Sequence, residues 1–188
     1  MASARSLSRS LLVAAVVSFA ASGARGETQV ETYEVTGSSY AELIASMRAN
    51  APFVERTGQR HYGVTQVGFR PSWTFQPLRS GCELVSAKVD LELTVILPRW
   101  PGRALAPEAL RGRWDELRAD IEAHERLHSD MAETYHQRMV RALDRPRTAA
   151  SCDRLNAVLT DEARRILERH RRAQRGIDAG GRNPATSG

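Results

Sequence analysis

The sequence predicts an α+β chain: an N-terminal antiparallel sheet with a short helix, followed by an antiparallel pair of long helices. Three observations carry that expectation. Ala87, Val89, Leu91, Leu93, Val95 and Leu97 alternate with Lys88, Asp90, Glu92, Thr94 and Ile96, so a strand there buries one face and leaves the other mostly wet until Pro98. From Pro107 the apolar period lengthens from two to three and four, which is the period of a helix. The stretch Asp144 to Ser151, with Pro146 inside it, breaks that pattern and leaves one helix on each side.

Arg5 and Arg9 precede an apolar run from Leu11 to Ala21, and Ala24-Arg25-Gly26 supplies small residues before a cut, so residues 1–26 read as a cleaved signal peptide. No later segment approaches the roughly 20 apolar residues of a membrane span, so no stable span is expected. Removing the three arginines of this leader takes the formal charge from +5 to about +2, and with it most of the case for a nucleic-acid partner. Glu31 to Val35 suits a strand. Ser39-x-x-Glu42 is a capping box ahead of Leu43, Ile44 and Met47, which starts a short helix that ends near Pro52. Tyr62 to Phe69 and Trp73 to Phe75 suit short strands separated by Pro71. The first long helix runs to about Leu143, with a break expected at Gly112, and the second begins near Cys152. The roughly 150 residues from 27 to 176 make one domain. Gly176 to Gly188, with Gly180-Gly181 and Pro184, is expected to be disordered, which leaves residues 177–188 as a tail.

His124-Glu125-Arg126-Leu127-His128 is an H-E-x-x-H sequence. On a helix, residues i and i+4 share a face, so both imidazoles can reach one metal ion with Glu125 beside them. This is the zincin-like half of a catalytic zinc site, and Zn2+ is the expected cofactor. Leu117, Ile121, His124, His128, Met131, Tyr135 and Met139 recur at helical spacing, which places both histidines on the buried stripe. Two unpaired imidazoles and a carboxylate there would be costly to bury, and a shared cation relieves that cost. A catalytic site needs a third protein ligand. If the two helices pack antiparallel about the Asp144 to Ser151 connection, His128 faces the neighbourhood of Leu167. His170 then fits best, Glu162 is the alternative, and Glu168 points away. His136 lies eight residues from His128, about 12 Å along a helix axis, too far to share the ion. It reads as a surface residue or a support for a ligand.

Cys82 and Cys152 are the only cysteines, and an even count in an exported chain predicts a disulfide between them. The arginines of the second helix (Arg164, Arg165, Arg169, Arg171, Arg172 and Arg175) suit a solvated face better than a site for an anionic partner. Lys88 is the only lysine, so arginine is the general basic residue of this chain.

Tyr33-x-Val35-x-Gly37-x-Ser39 with Glu42-Leu43 behind it, then Trp73, Cys82, the alternating strand ending in Leu97-Pro98-Arg99-Trp100, and His124-Glu125-x-x-His128 together resemble the bacterial family called domain of unknown function 922. The resemblance covers about residues 30 to 176. That family is described as secreted zinc-dependent proteases. The resemblance implies a secreted or periplasmic metallopeptidase acting on polypeptides, with His124 and His128 as ligands and Glu125 as catalytic acid and base. Hydrolysis would proceed by a zinc-activated water with Glu125 as general base. Tyr135, His136, His61 and Tyr62 are unranked candidates for the oxyanion partner. The chain departs from the family at the end of the second helix, where a Tyr-Asp-x-x-Thr-x-His-Gly-like pattern is matched by Arg169-His170-Arg171-Arg172-Ala173-Gln174-Arg175-Gly176 and only the glycine is kept. This departure supports the alternative function, a non-catalytic periplasmic metal-binding or structural module.

Overall fold

The computed structural model describes residues 28–180. The expected signal peptide and residues 181–188 of the expected tail lie outside the described residues. The elements are β1 Thr28–Glu34, α1 Tyr40–Asn50, β2 Phe53–Val54, β3 Gln59–Arg60, β4 Val64–Leu78 and β5 Gly81–Arg99. A 3-10 turn (Pro101–Leu105), α2 Glu108–Leu143, β6 Thr148–Ala149 and α3 Cys152–Gly180 complete the chain. The class is α+β, as expected, but the sheet is mixed rather than antiparallel. Its order is β1-β5-β4, with β6 also paired to β5. β1 runs parallel to β5, from Thr28 opposite Leu93 to Glu34 opposite Arg99. Parallel neighbours need a long crossover, and α1, β2, β3 and β4 supply it.

β4 is a single strand of 15 residues that passes through Pro71; the expected break is absent. A proline removes one donor from the ladder, which is tolerated on an edge strand, and β4 is an edge strand. β4 returns into β5 through Arg79-Ser80, with Leu78 opposite Gly81. Gly81 has φ +137°, and a Cβ there would lie 2.4 Å from the Ala149 carbonyl oxygen, so the close pairing of β6 on β5 requires a glycine. The alternating strand behaves as expected: Val89, Leu91, Leu93, Val95 and Leu97 are buried.

Ser39 caps α1 by accepting from the Glu42 backbone N–H at 3.3 Å, while the Glu42 carboxylate accepts from the Ser38 N–H at 2.7 Å, one residue before the usual partner of a capping box. α2 runs unbroken for 36 residues. Gly112 does not interrupt it, since one glycine costs only about 1 kcal/mol in a helix of this length. Its buried face carries Trp114, Leu117 and Ile121 against α1 and the end of β5, and Tyr135, Met139 and Leu143 against α3 and the start of β5. Leu91, Leu93 and Ala132 form a smaller cluster.

α2 and α3 are antiparallel: Tyr135 meets His170, His128 meets Gln174 and His124 approaches Asp178. Their register differs from the expected one. His128 lies opposite a residue 22 positions after Cys152 rather than 15. The connection is wide because Thr148–Ala149 pairs with β5 and Cys152 is bonded to Cys82. α3 therefore starts about two turns beyond the end of α2. α3 also continues to Gly180, so the tail expected from residue 177 is helical over its first four residues, where Asp178 is held by Arg56 and the histidines.

Candidate metal centre

The H-E-x-x-H segment falls in the middle of α2, where the helix faces β4 and the last turns of α3. Its buried member is Glu125, 4% exposed, while His124 and His128 are half-buried. The expectation that the histidines occupy the buried stripe is corrected by one position. Trp114, Leu117, Ile121 and Glu125 continue the stripe, and the two rings project from its flank into a cavity of about 470 Å3.

The imidazole Nε2 atoms of His124 and His128 lie 3.2 Å apart. Asp178 Oδ1 lies 3.1 Å from His128 Nε2 and 3.9 Å from His124 Nε2. One ligand atom from each of the three residues falls within 4.8 Å of the others. An imidazole nitrogen without a proton and a carboxylate oxygen are both acceptors, so in that form the three atoms can hold a cation between them. A proton would bridge only two of the three atoms, whereas a metal ion serves all three. Two imidazoles and one carboxylate fit such an ion, and all three residues line the cavity.

The third ligand was expected from His170 or Glu162, and the geometry brings neither to this group. His170 is buried at 6% exposure, its ring edge-on to Phe69 and Tyr135 at 4.9 and 5.5 Å, and its Nε2 lies 2.8 Å from Gln174 Nε2. Glu162 pairs with Arg147 at 2.5 Å, and Arg147 donates to the Ala142 carbonyl, so Glu162 braces the connection between the helices. The cause is the shifted register: seven residues carry the facing position from Leu167 to Gln174, and one further turn reaches Asp178. His170, Gln174 and Asp178 share a face at i, i+4 and i+8. That spacing was visible in the sequence but fell across the presumed start of the tail.

Glu125 is held from β4, where the Thr65 hydroxyl donates to Oε2 at 2.7 Å. Burial raises the Glu125 pKa; the Thr65 hydrogen bond and the two imidazoles oppose that rise, and Asp178 adds to it. A raised carboxyl pKa suits a group that takes and returns a proton near neutral pH. Gly63 makes room for this arrangement: a Cβ there would lie 2.6 Å from Ile121 Cγ2 and 2.7 Å from Glu125 Oε1. Gly63→Ala should therefore displace Glu125 and cost about 1–3 kcal/mol in urea denaturation. An unchanged midpoint would mean that the carboxylate is not closely confined.

Of the oxyanion candidates, His61 and Tyr62 line the cavity. Tyr62 is fixed by the Tyr33 hydroxyl, which donates to its carbonyl at 2.9 Å; burial raises the Tyr33 pKa. Tyr135 packs beside His170 instead, and His136 donates to the Val89 carbonyl at 2.8 Å. Arg56, Arg171 and Arg175 also line the cavity.

Burial, with Arg171 and His128 adding to it, lowers the His170 pKa to about 4, against about 6.5 in an unfolded chain. Between those values the unfolded chain takes up a proton that the native chain refuses, so stability is full above about pH 6.5 and falls as the pH drops towards 4. The loss from this residue is at most about 3 kcal/mol. Urea midpoints at about pH 7 and 4.5 should separate less in His170→Phe than in the parent; equal separations would exclude a neutral buried His170.

Cys82 and Cys152 form the expected disulfide. No helix among the described residues is long and apolar enough to cross a membrane. No curated protein and no solved structure matches the chain. The family model described as bacterial protein of unknown function (DUF922) matches residues 30–182, and the chain belongs to that family.

Proposed function

We propose that the chain is a secreted, zinc-dependent metallopeptidase in which His124, His128 and Asp178 hold the metal and Glu125 is the general base. The observation that carries this reading is the convergence of three acceptor atoms at an open cavity with a buried carboxylate beside them. Two histidines and one carboxylate are a donor set of catalytic zinc, which keeps a position open for substrate or water. When bound, zinc supplies Lewis-acid polarisation of a carbonyl and lowers the pKa of water.

The chain's own residues would do the rest. Glu125 takes the proton of the attacking water and returns it to the leaving amine, with Thr65 holding Oε2 so that Oε1 is the working oxygen. Gly63 lets β4 approach Ile121 and Glu125 closely, and the burial of Glu125 favours the protonated form it must visit. The amino-terminal part of β4 lines the cavity from Val64 to Val67, and β4 is an edge of the sheet. An extended peptide can add to such an edge through main-chain hydrogen bonds, which places its carbonyls along the row that leads to Glu125. The disulfide suits an oxidising compartment, as secretion or export to the periplasm would require.

The test is hydrolysis of a mixed peptide library by the mature chain, followed by mass spectrometry. Cleavage that stops on chelation and returns with added zinc supports the reading, and cleavage unaffected by the chelator contradicts it. The departure from the family pattern over residues 169–176 favours a second reading, a non-catalytic metal-binding module. That reading predicts bound zinc and an uncut library.

A further inference from the structure

Gln174 links His128 to His170, and chemistry alone fixes its orientation. Its amide nitrogen lies 3.1 Å from the His128 backbone carbonyl. A carbonyl oxygen only accepts, so the atom facing it must be the NH2 group. The other end of the amide, Oε1, therefore faces His128 Nδ1. An amide oxygen also only accepts, so Nδ1 must carry a proton. In a neutral ring that leaves Nε2 bare, and Nε2 is the atom that meets His124 and Asp178. The second amide hydrogen of Gln174 points to His170 Nε2 at 2.8 Å. His170 must then accept at Nε2 and keep its own proton on Nδ1. Phe69 and Tyr135 hold its ring edge-on, so the acceptor stays in place.

We propose that Gln174 is a positioning residue that sets the tautomer of His128 so that Nε2 is free for the metal, and that the buried His170 is the anchor that orients Gln174. Histidine ligands of metals usually donate their other nitrogen to a carboxylate or a carbonyl, which fixes ring and tautomer. Here an amide does this, and its one donor and one acceptor end make the arrangement directional. The proposal also explains a buried histidine that the hydrolytic mechanism does not use. Where metal affinity is concerned it rests on the metal reading above; the tautomer itself does not.

The test uses nitrogen-15 NMR of the imidazole rings at about pH 9, above the ordinary histidine pKa, in the mature chain without metal and with Asp178→Ala. The Asp178 carboxylate, 3.1 Å from His128 Nε2, would otherwise compete for the ring proton. His128 should carry its proton on Nδ1 alone and His170 likewise. In Gln174→Ala, His128 should shift towards the Nε2–H form, and zinc should bind about 10- to 100-fold more weakly in competition with a chelator. Gln174→Glu, which keeps an acceptor for Nδ1, should retain the His128 tautomer. His170→Phe should weaken zinc less than Gln174→Ala does. A proton on His128 Nε2 in the Asp178→Ala chain, or an unchanged tautomer and affinity when Gln174→Ala is added, overturns the proposal. Complete loss of zinc in His170→Phe would make His170 a ligand and overturn it as well. If the parent binds no zinc but the Asp178→Ala chain shows the stated tautomers, the metal reading fails and the Gln174 assignment stands.

Discussion

Replacing Glu125 with glutamine in the zinc-loaded protein is expected to lower kcat/KM for peptide hydrolysis by about 10²- to 10⁴-fold, the usual contribution of a positioned general base. Zinc content should stay at the parental level. Glutamine has nearly the same shape, so it can still accept the Thr65 hydrogen bond and fit beside Gly63. It cannot take up a proton from water. The variant should also be no less stable than the parent, because a neutral amide avoids the burial cost that raises the Glu125 pKa. A zinc-loaded variant that cleaves at the parental rate would remove Glu125 from the mechanism. One that loses zinc and activity together would instead make Glu125 part of the metal site.

Removing the disulfide, with Cys82 and Cys152 both replaced by serine, should destabilise the chain by about 2–5 kcal/mol. The two residues are 70 apart in sequence, and the chain-entropy model gives about 4 kcal/mol for closing a loop of that size. The bridge has a second consequence. It ties the start of α3 to the start of β5, and the position of α3 along α2 decides which of its residues reach His124 and His128. Urea denaturation of the double variant measures the first effect. Zinc affinity of the still-folded variant measures the second, which should be a weakening. A midpoint within about 0.5 kcal/mol of the parent would show that Leu155, Leu159 and Ala163 hold α3 unaided.

The strand from Ala87 to Leu97, the cap at Ser39, both long helices and the disulfide were legible from the sequence because each depends on local pattern or on counting. Pairing across the sheet was not. The parallel placement of β1 on β5 depends on a crossover that no local signal marks, and Pro71 reads as a break until β4 is known to be an edge. In the site, His124, Glu125 and His128 are one helical segment and could be read directly. Asp178 could not, for two reasons: α3 is offset by about two turns through β6 and the disulfide, and Gly176 and Gly180 hid the last helical turn. His170 faces inward on α3, as its spacing predicts, and its neighbours are Gln174, Phe69 and Tyr135. It lies at the position that an unshifted register would bring to the histidines, and the shift turns it towards Gln174, Phe69 and Tyr135.

The proposed metal centre consists of His124, His128 and Asp178. Elemental analysis of the mature, oxidised chain after zinc loading and gel filtration tests it most directly, run beside Asp178→Ala and His170→Phe. One equivalent of zinc is expected in the parent, with its loss in Asp178→Ala and its retention in His170→Phe. A parent without zinc, or a site that survives Asp178→Ala and fails in His170→Phe, would contradict it.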